Sequence, residues 1–321
     1  MRSGTWCGES VLQVDGEGWS VQVSPIRGGK IVSLQHGGIE WVAQPVVPLP
    51  PPARPGSTFA EREMCGWDEC APSIDACEVD GAPVPDHGDL WTERWWLDGE
   101  WLRAVGPSLG YEIARRVVAD GPAVRFEYRA RATGSKPVPF LWAAHPQFGA
   151  PPGSVLEVAT DATTALDVMA RPAVPVALEP ATCAIDTVAP GGCRKLYLEP
   201  GASASSVRLR RPEGASLTMT WDLDAAPYVG LWFDRGAYSH GDVVAIEPST
   251  GFYDSVASAV GNGHVATLQP GADFTWWCQV SFCDQHLRDD ARRSGPSGRP
   301  GGQSESPFSA GPDPGRMTSS N

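Results

Sequence analysis

Short runs of alternating apolar and polar residues, separated by turn-forming clusters, recur along this chain and constrain its fold more than any other feature. In FTWWCQVSF (274–282), Phe274, Trp276, Cys278, Val280 and Phe282 share one face, and Thr275, Trp277, Gln279 and Ser281 share the other. The same period of two sets Val124, Phe126 and Tyr128 against Arg125, Glu127 and Arg129, and Leu217, Met219 and Trp221 against Thr218 and Thr220. Val207 and Leu209 alternate likewise with Arg208 and Arg210. Such alternation suits a strand with one buried and one wet face, as in an antiparallel sheet packed on one side. ADGPA (119–123), RPEGAS (211–216) and VGNGHV (260–265) punctuate the runs with turn residues. No amphipathic helix of three turns is evident, and 31 prolines with 36 glycines would break one repeatedly. The expected class is all-β, with few short helices, in the rhythm of a sandwich or barrel.

Two segments depart from this rhythm. PVVPLPPPARPGS (45–57) is too rich in proline for a central strand and is expected to be a long extended loop bordering a site. From Asp289 to Asn321 the chain almost lacks core-forming residues, so a folded body over 1–285 and a disordered Gly/Pro/Ser-rich tail over 289–321 are expected. No apolar run approaches the roughly 20 residues of a membrane helix. MRSGTWCGESVLQVDGEG lacks the apolar stretch of a secretory signal, so a cytoplasmic protein is expected.

A net charge of −13 argues against nucleic acid and anionic membrane as partners, since both favour a basic surface. The eight cysteines are read as reduced thiols, because Cys65, Cys70 and Cys77 match no paired zinc spacing. Thirteen tryptophans exceed what a core requires, and rings with an apolar face and a polar edge suit stacking on sugars.

Among short motifs, GPSLG (106–110) fits the pattern of a hydrolase nucleophile elbow. Ser108 nevertheless lacks the preceding buried parallel strand and the following helix, and a turn between strands explains the same residues. Three other polar positions stand out. His87 lies in PDHGDLW (85–91), ahead of Trp91, Trp95, Trp96 and Trp101. His145 follows the apolar FLWAA and precedes Pro146, and Glu247 closes the apolar run DVVAIE ahead of Pro248. Each alone would be unremarkable as a satisfied core histidine or an outward-turning glutamate. Together, at expected strand ends, they are the kind of set that converges at the mouth of a large sheet.

The order and setting of these pieces resemble the aldose 1-epimerase (galactose mutarotase-like) family. The resemblance rests on GGKIVSL (28–34), GWDECAPSI (66–74), DHGDLW (86–91), AAHPQF (143–148) and IEPSTGFYDSVASA (246–259), in the family's order across most of the body. Asp86 stands where members often carry Asn, and Gln147 where an aromatic often follows His-Pro, which marks a divergent member. The resemblance implies a large antiparallel β-sandwich, the galactose mutarotase-like supersandwich, with its site on a concave sheet face. It also implies interconversion of the α and β anomers of an aldohexose by acid/base ring opening and reclosure. Glu247 would be the general base and His145 the general acid, set on different sides of the sugar. His87 would bind the sugar, with Asp68, Trp232 and Arg62 as further binding candidates.

Such a reaction removes a proton from the C1 hydroxyl and delivers one to the ring oxygen, which suits a carboxylate and an imidazole. It calls for no metal or organic cofactor, and its partner is a small-molecule sugar. A monomer or homodimer is expected. Two other readings stay open. A carbohydrate-binding protein without turnover would need stacking and hydroxyl contacts but no matched acid and base. A lyase acting on uronic-acid polymers would need a groove lined with Lys and Arg, for which an acidic chain offers few clustered basic residues.

Overall fold

A computed structural model describes residues 1–283. Within them the alternating runs are strands, and the one α-helix is Val256–Asn262, capped by Ser255. Phe274–Cys283 shows the expected alternation of buried and half-buried side chains. The strands form two large antiparallel sheets. The larger, of 13 strands, runs in the order Arg2–Trp6, Glu9–Asp15, Trp19–Ser24, Lys30–His36, Trp67–Cys70, Ala143–Pro146, Asp242–Ser249, Tyr228–Arg235, Cys193–Tyr197, Thr164–Asp167 and Val174–Ala177, with two short strands beside this path. The smaller, of eight, runs Val155–Thr160, Ala204–Arg210, Ser216–Trp221, Phe274–Cys283, Ala123–Ala132, Tyr111–Asp120, Trp101–Gly106 and Trp96–Asp98.

The main core lies between the sheets. Trp67, Trp142, Leu196, Leu231 and Ile246 of the larger sheet join Ile113, Phe126, Leu217, Trp276 and Val280 of the smaller in one buried cluster. Each fully buried apolar side chain of this size contributes about 1.5–3 kcal/mol. Within this apolar layer sits one ion pair. Arg115 of Tyr111–Asp120 reaches Glu69 of Trp67–Cys70 at 2.5 Å, with both side chains fully buried. Glu69 also accepts from Trp142 Nε1 at 2.8 Å and Tyr128 OH at 3.0 Å. Burial still pushes the Glu69 carboxyl upward, against the pull of Arg115, Trp142 and Tyr128. Arg115 donates in addition to the Gly29 carbonyl and lies 5.3 Å from the Trp95 ring centre.

The tryptophans mostly fill space. Nine of them, including Trp41, Trp67, Trp95 and Trp142, are buried. Trp101 and Trp277 lie on the wet face of the smaller sheet, where Arg129 sits over Trp101 at 4.3 Å and Arg125 over Trp277 at 4.1 Å. Residues 107–110, around Ser108, form the turn between Trp101–Gly106 and Tyr111–Asp120, and the Ser108 hydroxyl donates to Asp89 at 2.8 Å. Residues 45–57 contain no strand and are tied down where Arg27 donates to the Pro50 carbonyl at 2.9 Å. No helix among the described residues is long and apolar enough to cross a membrane. The tail expected over 289–321 lies outside the described residues.

The Glu69–Arg115 pair yields a stability prediction. Removing one partner strands a buried charge, so Glu69→Ala should lower the unfolding free energy by about 3–5 kcal/mol. Denaturant unfolding followed by tryptophan fluorescence checks this.

Candidate active site

The register of the larger sheet lines up residues far apart in sequence. Asp68 pairs with His145 across adjacent strands. Ala143 pairs with Ser249, so two residues further along His145 stands opposite Glu247. Glu247 pairs in turn with Gly230, and Gly230 with Tyr197. Because side chains alternate between faces, these five positions form one transverse row on the face turned away from the smaller sheet. A cavity of about 430 Å³ opens over the part of the row around His145 and Glu247, and His145, Glu247, His87 and Trp232 all line it. That volume lies in the range of small-molecule sites.

The glutamate strand does not end at its proline, whereas the histidine strand Ala143–Pro146 does. Asp242–Ser249 continues through Pro248, and after Pro146 the partner strand resumes as Phe148–Gly149, with Phe148 opposite Val244. The pairings Ala143 with Ser249 and Phe148 with Val244 belong to one register. Each proline removes an N–H donor without shifting that register. Glu247 therefore lies within its strand and His145 next to the end of its strand, both on one face of the sheet. His145 Nδ1 lies 3.1 Å from Glu247 Oε1, so the two groups expected on different sides of a sugar are neighbours on one cavity face.

Glu247 is 2% exposed. Burial alone would raise its carboxyl, but Lys195 above all, with His145, overrides this and holds it at about 2. The carboxylate then only accepts, which places the imidazole hydrogen on Nδ1. Lys195 Nζ lies 2.8 Å from Glu247 Oε2 and 2.5 Å from Asp254 Oδ1, and Tyr197 OH donates to Asp254 Oδ1 at 2.6 Å. Sequence reasoning missed Lys195, Tyr197 and Asp75, all three beside or in this cavity. In CRKLY (193–197) a lysine on a one-faced strand reads as an ordinary wet-face residue, and the pairing across two strands gives no local signal.

His87 closes another side. It has φ +58°, and Met64 and Tyr253, also in the cavity wall, have φ +24° and +102°. Three of the five non-glycine residues with positive φ among the described residues thus surround this cavity, a concentration of backbone strain of the kind found at functional sites. His87 Nδ1 lies 3.0 Å from Asp86 Oδ1, and that hydrogen bond holds the Asp86 carboxyl below its usual range. The His87 ring stacks on Phe59 with centroids 3.7 Å apart, and its centroid is 5.7 Å from that of His145. Trp91 Nε1 donates to the Asp86 carbonyl at 3.0 Å and pins this turn. Gly88 is required by a close approach, since a Cβ there would lie 2.0 Å from the Ala71 carbonyl oxygen.

Trp232 is half-buried on the cavity face and is 5.9 Å from Tyr238, centroid to centroid. Among the described residues it is the one tryptophan that lines this cavity. Asp68 and Arg62 do not come to it. Both line a smaller neighbouring cavity, and Phe59 and Met64, which line both, form the wall between. Asp68 is 1% exposed and paired with Lys30 at 2.9 Å, while Arg62 donates to the Ser57 hydroxyl at 2.9 Å.

The architecture matches solved proteins. A protein from Synechocystis sp. PCC 6803 superposes with a TM-score of 0.66 at 16% identity, over 88% of this chain and 99% of that one. A galactose mutarotase-like protein from Clostridium acetobutylicum gives 0.63 at 13% identity, over 88% and 98%. A candidate aldose 1-epimerase from Escherichia coli K12 gives 0.61 at 15%, over 85% and 98%. The fold is galactose mutarotase-like. No protein-family model matches the sequence, and no curated protein matches it.

In this mutarotase-like sheet, Gly230 occupies the one gap in the transverse row. A Cβ there would lie 2.9 Å from Glu247 Oε2 and 3.1 Å from a Tyr197 ring carbon. Gly230→Ala should cost about 1–3 kcal/mol as overpacking, read as a lower denaturation midpoint at unchanged m-value. The depressed Glu247 carboxyl fixes a second sign. Its folded-state value of about 2 lies below the ordinary 4.5, so its contribution to stability is full above the ordinary value and is lost as pH falls toward the folded one. The stability gap between wild type and Glu247→Gln should therefore narrow between about pH 5 and pH 2.5, which urea unfolding at each pH measures.

Proposed function

We propose that the protein is an aldose 1-epimerase-like isomerase that interconverts the α and β anomers of an aldohexose. The observation that carries this reading is the His145–Glu247 contact at 3.1 Å inside a sugar-sized cavity. The C1 hydroxyl oxygen and the ring oxygen of a pyranose are bonded to the same carbon. An acid and a base standing side by side can therefore serve both. Glu247 takes the proton of the C1 hydroxyl, the C1–O5 bond breaks with its electron pair going to O5, and the C1=O double bond forms. His145, as imidazolium, gives its Nε2 proton to O5. After rotation about C1–C2 the same steps in reverse close the ring on the other face. His87 offers a hydrogen-bonding group from the opposite wall, and Trp232 a surface for the sugar's C–H face.

One observation favours a second reading, a sugar-binding protein without turnover. A carboxylate held at about 2 is a weaker base than neutral pH favours. Polarimetry on freshly dissolved α-D-glucose and α-D-galactose separates the two. On the isomerase reading the protein accelerates mutarotation, and Glu247→Gln and His145→Asn each cut the rate by about 10²–10⁴-fold. Wild-type rates no faster than buffer across a panel of aldoses would leave the binding reading in its place.

A further inference from the structure

Lys195 is a buried cation at the cavity wall that the acid and base roles leave unused. Its Nζ bridges Glu247 Oε2 at 2.8 Å and Asp254 Oδ1 at 2.5 Å, and its side chain is 9% exposed. The strand Cys193–Tyr197 is not a neighbour of the Glu247 strand, because Tyr228–Arg235 lies between them. Lys195 pairs with Trp232, and the next cavity-facing residue on that intervening strand is Gly230. The missing side chain at Gly230 leaves room for the Glu247 carboxylate and the Tyr197 ring, which a Cβ there would meet at 2.9 and 3.1 Å.

Two carboxylates face one ammonium here. When Glu247 is ionised the trio Glu247, Lys195 and Asp254 carries one net negative charge. When Glu247 has taken a proton, Asp254 alone still balances the ammonium. Tyr197 supports that second pair by donating to the same Asp254 oxygen. Burial would strip the proton from Lys195, but Asp254 and then Glu247 keep it well above the usual lysine range. Besides Tyr197, the titratable groups packed around this trio include His145 and Cys70 on the strands beyond Glu247, and Asp75 and Tyr253 beside Asp254.

We propose that Lys195 is a positioning residue of this site: held by Asp254 on one side and Glu247 on the other, it fixes the plane of the Glu247 carboxylate beneath the sugar. The proposal rests on the mutarotase reading of the cavity. It predicts a trade of basicity for orientation, because the same ammonium that fixes Glu247 also weakens it as a base.

The test uses Lys195→Met and Lys195→Arg with two independent readouts. One is the pH titration of the Glu247 carboxyl by ¹³C NMR, assigned by the signal that Glu247→Gln removes. The other is the pH profile of kcat/KM for mutarotation. In Lys195→Met the NMR midpoint and the acid limb of kcat/KM should both rise by about one to three pH units, and kcat should fall at least about tenfold. Lys195→Arg should return midpoint and limb most of the way to wild type. Sugar turnover by the wild type with midpoint and limb unmoved in Lys195→Met overturns the proposal. A midpoint that rises in a protein that does not turn over sugar supports the clamp and rejects the mutarotase reading instead. Should Lys195→Met not fold, Lys195→Gln is read by the same two measurements, with the same supporting and overturning outcomes.

Discussion

A buried carboxylate and guanidinium tie the two sheets of this molecule together, and the position of everything on the open face follows from that tie. Glu69 and Arg115 come from different sheets and meet with both side chains fully buried. An ion pair in such surroundings contributes little net stability, since desolvation opposes the attraction. Its effect is to make one arrangement far better than its neighbours. Sliding the Trp67–Cys70 strand by one residue would turn Glu69 out of the core and turn Asp68 in, leaving Arg115 buried without a partner. Trp142, which donates to the same carboxylate, fixes the next strand in the same way. Asp68 and His145, adjacent to these anchors along their strands or one alternation away, are thereby held on the opposite face.

The cavity is built by subtraction as much as by addition. Pro146 and Pro248 each delete a ladder donor beside a polar residue of the site, and Gly230 deletes a side chain between two of them. The register across Ala143–Ser249 and Phe148–Val244 stays intact through these omissions. The sheet thus supplies a rigid frame with local vacancies in it, and charged groups from three strands meet in those vacancies. An acidic protein gathers two carboxylates around one lysine and one histidine there, so the local balance is set by contacts of about 3 Å and owes little to the overall charge of −13.

Much of this was legible in the chain. Period-two alternation marked the strands, as Phe274–Cys283 illustrates, because each strand has one face on the core. Glu247, His145 and His87 were legible because each sits beside a proline or glycine at the edge of an apolar run. The strand-end inference is right for Pro146 and fails for Pro248, where a missing N–H interrupts one side of a ladder and leaves the strand and its register alone. The tryptophans misled for a different reason. A sandwich of this width needs large rings to fill it, so most of them are interior and Trp232 remains as the one on the cavity wall. Asp68 looked like a binding residue from its place in the family-like GWDEC, and its capture by Lys30 depends on a strand about 38 residues earlier. Lys195 was illegible for the same physical cause, as its meaning lies in a pairing with residues about 50 positions away.

The cavity has two kinds of wall. The floor and one side belong to the hydrogen-bonded sheet, whereas Phe59, which stacks on His87, hangs from the proline-rich strap that precedes it and makes no ladder bonds of its own. Changes of length or sequence in that strap alter the shape of the chamber while leaving the row of charged residues where it is. The charged row and the shape of the chamber are therefore separable by descent: the sheet can be inherited unchanged while the strap diverges, so that a lineage could alter the ligand its cavity admits without rebuilding the row.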